Sequence, residues 1–355
     1  MEKRAFLAVA LSLLVLVLYQ EWISRQYGTS PQPPAPKQQE EKKAPPSVQT
    51  TPAPPPQSKA VEIPRGQPAK GIKDIKVETD NYVALFTNQG ARLKSFKFKH
   101  YRSSVDEKST PHEMVSVTPG VPFPLGVKWN GPTASDDSGV VYGVEGSDLR
   151  LTGDAKGTLA FRGQTANGVT ITKKLSFAAS RYPIELEVAA TAANGTPIPL
   201  DLMLATKSDH AVPNPGAPFE GLLALVDDKI KRVYLEDLTE GVEFTGNISW
   251  AGFGQTYFLL ALLPDNGSGH RLTAQHFGPA IIMSLGGQSQ ATDGRYVLFA
   301  GPKQLEVLES LGKGLERSID FGYFAVIAIP FLYILHFSHQ FTGSYGIDII
   351  ILTVL

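Results

Sequence analysis

Apolar positions crowd the two ends of this 355-residue chain and alternate with polar ones in between. At the N-terminus, Ala5–Tyr19 carries no charge and is almost wholly apolar, and Trp22 and Ile23 extend the run. As a helix at ~1.5 Å per residue, Ala5 to Ile23 spans ~28 Å, close to the ~30 Å hydrocarbon core of a bilayer. Residues 1–27 therefore read as a transmembrane anchor. Lys3 and Arg4 ahead of the run place the N-terminus in the cytoplasm, and Tyr19 and Trp22 fall at the far headgroup level. A cleaved signal peptide is the competing reading. It needs small residues just after the apolar run, where this chain has Tyr19-Gln20-Glu21-Trp22. Both readings export the remainder of the chain.

Residues 28–70 lose the apolar pattern. Twelve of the chain's 27 prolines lie between 31 and 70, and the large apolar residues there are Val48, Val61 and Ile63. Such a segment cannot bury enough surface to offset its ordering entropy, so it reads as a disordered, polyproline-biased spacer. Its prolines could alternatively serve as ligands for a proline-binding groove.

Residues 71–316 read as a folded body. Short strand-like runs recur between Gly, Asn, Asp and Pro, among them Tyr82–Thr87, Leu93–Phe98, Val169–Phe177, Leu200–Ala205 and Tyr257–Leu263. Ile184-Glu185-Leu186-Glu187-Val188 alternates at every position, the mark of a strand with one packed and one wet face. Asn88-Gln89-Gly90, Asn167-Gly168, Asn194-Gly195 and Asn266-Gly267 supply turns. The pattern predicts a mainly β fold, an antiparallel sandwich with more strands than a seven-stranded one. The body closes on a helical pattern: Pro302 suits a first helical position, and Leu305, Leu308, Leu311 and Leu315 form a stripe. That stripe packs on the sheet or, alternatively, binds a partner.

No Asp, Glu, Lys or Arg occurs from Phe321 to Ile347. Pro330 interrupts this stretch, its most apolar core is short, and His336, Ser338, His339 and Gln340 come after it. Residues 317–342 therefore read as an amphipathic helix lying on the outer membrane surface, with Phe321, Tyr323, Phe324, Pro330, Phe331, Tyr333 and Phe337 in the interface. A kinked span is the alternative. Gly343-Ser344-Tyr345-Gly346 breaks the pattern, and residues 343–355 open a second apolar run too short to cross a bilayer. They are expected to begin a second transmembrane helix that continues beyond Leu355.

Composition narrows the chemistry. The formal net charge of −1 offers no electrostatic case for nucleic acid, and without cysteine there is no disulfide, thiolate metal site or thiol nucleophile. Gly312-Lys313-Gly314 is no phosphate-binding loop, and Gly252-Phe253-Gly254 opens no dinucleotide motif. Asp136-Asp137 and Asp227-Asp228 read as solvated turns, and His336 and His339 as an interfacial polar face rather than a metal site. Three Asn-X-Ser/Thr triplets match a glycosylation pattern short enough to arise by chance. No catalytic, cofactor or metal site is expected. A membrane-anchored carbohydrate-binding or sugar-modifying sandwich is a second reading, which would require a cleft lined by carboxylates and aromatics.

The order of these segments resembles the YidC/Oxa/Alb family of membrane protein insertases, in its Gram-negative form. Met1–Arg4 running into Leu7–Tyr19 and Trp22 is similar to the family's first span. Trp250, Tyr257, Phe258 and Pro264 match its Trp…Tyr-Phe…Pro signature. Gly301-Pro302-Lys303 matches its Gly-Pro-Lys, and Gly346 with Asp348–Thr353 its entry into the membrane core. Tyr345 stands where the family often has Trp. The resemblance implies a periplasmic β-supersandwich with a packed C-terminal helix. It also implies a multi-pass inner-membrane protein that inserts nascent inner-membrane proteins, alone or with the Sec translocon (SecD, SecF, SecY). In the family a hydrophilic groove carries that work without covalent chemistry, and the groove is expected to lie outside these 355 residues.

Overall fold

The computed structural model describes residues 71–104, 106, 108–115, 118–129, 135–207, 219–287, 294–320 and 325–354. The expected anchor at 1–27 and the expected linker at 28–70 lie outside them. Among the described residues twenty strands occur in order: β1 (Asp74–Glu78), β2 (Tyr82–Thr87), β3 (Arg92–Arg102), β4 (Pro111–Glu113), β5 (Gly126–Trp129), β6 (Ser135–Asp136), β7 (Gly143–Glu145), β8 (Leu149–Arg150), β9 (Lys156–Gln164) and β10 (Thr170–Ala178). The second ten are β11 (Ile184–Thr191), β12 (Leu200–Lys207), β13 (Gly221–Val226), β14 (Lys229–Tyr234), β15 (Val242–Gly246), β16 (Ile248–Gly254), β17 (Phe258–Pro264), β18 (His270–Phe277), β19 (Ala280–Gly287) and β20 (Gly294–Pro302). Helices α1 (Leu305–Glu309), α2 (Ala325–Thr342) and α3 (Tyr345–Val354) close the chain.

The strands form three sheets. Five strands run in the order β4-β3-β2-β1-β8, nine in the order β14-β13-β16-β17-β20-β11-β10-β9-β7, and six in the order β15-β18-β19-β12-β5-β6. β1 and β8 pair in parallel, and the other described strand pairs are antiparallel. One core draws on all three, with Phe86 and Phe96, Leu175 and Leu262, and Leu204 and Leu285 among its members. The mainly β sandwich expected from the sequence is the fold observed.

The alternation in Ile184–Val188 appears as alternating buried and exposed positions in β11. β13 and β17 differ, being buried at every position. Leu222, Ala224 and Val226 face the main core, while Leu223 and Leu225 face a second cluster with Trp250, Leu259, Leu263 and Phe299. A strand covered on both faces shows an unbroken apolar run rather than a period of two. β16 needs a bulge to join this arrangement. Leu225 pairs with Trp250 and Val226 with Ile248, which leaves Ser249 as the extra residue. The bulge turns Ile248 to the main core and Trp250 to the second cluster. Gly252 is required here, because a Cβ would collide with the Leu260 backbone across the sheet.

The second cluster is roofed by Leu308 and Leu315. The stripe read as one helix over Leu305–Leu315 is broken: α1 ends at Glu309, and Leu315–Ser318 forms a separate 3-10 turn. Gly312 (φ +63°) and Gly314 (φ +74°) supply the left-handed backbone that ends a helix. Pro302 closes β20 rather than opening the helix, and Gln304 stands at the cap position. The roof is tied down where Trp250 Nε1 donates to the Gly314 carbonyl (3.3 Å) and Arg317 Nη1 to the Asp228 carbonyl (2.8 Å).

Candidate membrane-facing site

A helix on a water-soluble protein puts its apolar stripe inward. α2 carries apolar side chains on its outer face as well. Phe331, Tyr333, Ile334, Phe337 and Phe341 are exposed, and they recur at the three- and four-residue spacing of one helix face. His336 and His339 sit on the half-buried face, with His336 Nδ1 2.9 Å from Glu306 Oε1 of α1. In α3, Ile347, Ile349, Ile350 and Ile351 are exposed, whereas Asp348 is buried. α2 continues through Pro330, which lacks the N–H for an intrahelical bond at that turn. Among the described residues, no helix is long and apolar enough to cross a membrane.

Gly343 and Ser344 join the two helices through a polar joint. Asp348 Oδ2 lies 3.0 Å from His339 Nδ1, Thr342 Oγ1 donates to Asp348 Oδ1 at 2.6 Å, and the Asp348 N–H donates to the Ser344 carbonyl. The His339 and Tyr345 rings stack at 3.8 Å with an interplanar angle of 3°. The two histidines thus meet different carboxylates, and no group of residues able to hold a metal occurs among the described residues.

The positions singled out in sequence divide. Lys3, Arg4, Tyr19, Trp22, Phe321, Tyr323 and Phe324 lie outside the described residues. Pro330, Phe331, Tyr333 and Phe337 are on the exposed side of α2, and Gly346 is exposed in α3. Trp250 and Phe258 are buried, and Pro264 and Pro302 end β17 and β20. Gly301 lies against the Phe299 ring. Tyr257 alone of the signature side chains in the β body is thrust outward, at 73% exposure.

Sequence reasoning missed a buried charge cluster. Asp137, read as part of a solvated turn, is fully buried, with Lys173 Nζ at 2.6 Å and Arg92 Nη2 at 3.1 Å. Tyr142 Oη and the Val127 N–H also donate to it. Lys173 Nζ donates to the Gly90 and Leu125 carbonyls, both at 2.7 Å. Burial would raise the Asp137 carboxyl, but the two cations outweigh it and hold it below its ordinary value. Burial pushes Lys173 down to about 8 against the pull of Asp137. Arg92 belongs to the five-stranded sheet and Lys173 to the nine-stranded one, while Asp137 directly follows β6 of the six-stranded sheet. The cluster therefore clamps three sheets together and is closed to a substrate. A cavity of about 10 Å³, bordered by Met114, Leu235, Phe253 and Leu260, has room for about one water and no carboxylate in its lining.

Residues 74–334 match the family model of the YidC periplasmic domain. A membrane protein insertase YidC of Geotalea uraniireducens is 33% identical over 100% of this chain and 67% of its own length. The same-named protein of Syntrophus aciditrophicus is 31% identical over 100% of this chain and 69% of its own. The chain thus spans about two thirds of the length of the curated relatives it matches. Among solved structures it is similar to a galactose mutarotase-like protein from Lactobacillus casei, at 12% identity and a TM-score of 0.41, covering 65% of this chain and 100% of that one. The match over both the β body and the start of α2, together with relatives alike from end to end of this chain, means that the chain belongs to the YidC family of membrane protein insertases.

Proposed function

We propose that this protein assists the insertion, folding and assembly of nascent inner-membrane proteins without covalent catalysis, alone or beside the Sec translocon with contacts to SecD, SecF and SecY. It is a multi-pass protein of the inner membrane. Residues 1–27 anchor it with Lys3 and Arg4 on the cytoplasmic side and Tyr19 and Trp22 at the outer headgroups. Residues 28–70 are the spacer, the β body is periplasmic, α2 lies in the outer interface, and α3 begins the next span. Burying an apolar helix in lipid is downhill, so an insertase needs to lower a barrier rather than supply energy.

The observation that carries the reading is the set of exposed apolar side chains on α2 and α3, on a chain whose relatives are named insertases. Exposed Phe337 and Phe341 over half-buried His336 and His339 suit a lipid boundary better than water. The test is depletion of the gene product during pulse-labelling of small inner-membrane proteins. Insertion should fall, with precursor accumulating; insertion at the normal rate would contradict the proposal.

A further inference from the structure

We propose that one rim of the nine-stranded sheet, marked by Tyr257 and Tyr234, rests on lipid headgroups as a second membrane contact beside α2. The inference depends on the reading of α2 as an interfacial helix.

The sheet register locates the rim. Tyr234 pairs with Gly221, Gly221 with Gly254, Gly254 with Leu259, and Leu259 with Gly301, which makes one row across five strands. Tyr257 and Lys303 lie two residues beyond that row, just outside β17 and β20, and the Lys303 N–H donates to the Tyr257 carbonyl at 2.8 Å. Three residues later, Glu306 meets His336 of α2. The chain also returns to this rim before α2 begins, since Arg232, two residues from Tyr234, lies 3.9 Å from Asp320. Among the described residues, the Glu306–His336 and Arg232–Asp320 contacts therefore lie toward the side of the sheet that carries Tyr257. The opposite end of β17, seven residues away, is ~23 Å distant.

The chemistry of the rim fits the headgroup zone. Among the described residues of the β body, the exposed large apolar side chains are Val141, Tyr234, Tyr257 and Phe277, and the two tyrosines share this rim. A phenol has an apolar ring for the acyl boundary and a hydroxyl for phosphate, carbonyl or water, which is why tyrosine favours headgroup depth. Two contacts, one from α2 and one from the rim, would fix the tilt of the β body on the bilayer.

The absence of native cysteine makes the test direct. The full chain is reconstituted in vesicles of phosphatidylethanolamine and phosphatidylglycerol, with a spin label at Tyr257→Cys, Phe337→Cys or Ser268→Cys in turn. Ser268 is exposed beyond the far end of β17. Collision with lipid-soluble oxygen and with a water-soluble nickel complex reports depth. The label at 337 should lose nickel accessibility, and the one at 268 should keep it. The label at 257 should lose it in part or wholly, as should one at Tyr234→Cys. A 257 label as open to nickel as the 268 label, with 337 in lipid, overturns the rim contact alone. A 337 label open to nickel overturns the interfacial reading of α2, and the rim contact falls with it. Tyr257 is 73% exposed, so its replacement removes no buried packing.

Discussion

Asp137 shows how much a single side chain can hold. Removing it leaves the Lys173 ammonium and the Arg92 guanidinium buried without a counter-charge, a loss that costs about 3–5 kcal/mol. Asp137→Ala should lower the urea midpoint accordingly, measured on the full chain in detergent by tryptophan fluorescence. Lys173→Met in an Asp137→Leu background should recover part of that loss, because the Arg92 guanidinium is then the one member of the cluster still missing its counter-charge. The pH dependence has a definite sign. A carboxyl depressed in the folded state contributes stability above its unfolded value, near 3.8, and loses it as pH falls through the folded value. Asp137→Asn should therefore flatten the acid arm of the stability curve; an unchanged acid arm would contradict the clamp. None of this was legible in the sequence. Asp136-Asp137 looks like any polar turn, and its cationic partners stand 45 and 36 residues away in chain positions 92 and 173. Asp227-Asp228 was legible, because a turn is local: both residues adopt positive φ (+49° and +57°) in the two-residue hairpin between β13 and β14.

At the scale of elements, the roof over Trp250 depends on a backbone conformation that glycine alone adopts cheaply. Gly314 has φ +74°, and a Cβ there would sit 2.8 Å from Leu225 Cδ2. Gly314→Ala should cost about 1–2 kcal/mol from the left-handed backbone. It should also speed limited proteolysis between residues 310 and 320; unchanged cleavage would mean that the roof is held by Leu308 and Leu315 packing alone. The joint between α2 and α3 offers a second test. Asp348→Ala removes the acceptor shared by His339 and Thr342. The distance distribution between spin labels at Phe331→Cys and Ile351→Cys should then broaden, whereas an unaltered distribution would make the joint dispensable. Alternating strands such as β11 were legible because one face is wet. Burial on both faces erases the period that separates a strand from a buried helical turn, so β17 was legible only as a short apolar run and β13 was not singled out. β16 escaped for another reason: the bulge at Ser249 shifts its period partway along.

For the whole molecule, the order of segments was the most legible feature. An apolar start, a proline-rich stretch, an alternating body and an oily finish led to the family before any contact was known. What sequence could not supply was the register that sets Tyr257 against Lys303 at one rim, three residues before the Glu306 that meets His336 of α2. The central claim is that apolar ends hold a β body on the outer face of the inner membrane. A membrane-impermeant maleimide applied to cells with a permeabilised outer membrane tests it most directly, with the chain carrying a single cysteine at Ser268→Cys or Lys3→Cys. The account predicts that the 268 cysteine reacts at once, that the 3 cysteine reacts only after the inner membrane is lysed, and that both variants stay in the membrane pellet after carbonate extraction. A reactive cysteine at position 3 in intact cells, a protected one at 268, or release of the chain by carbonate would contradict it.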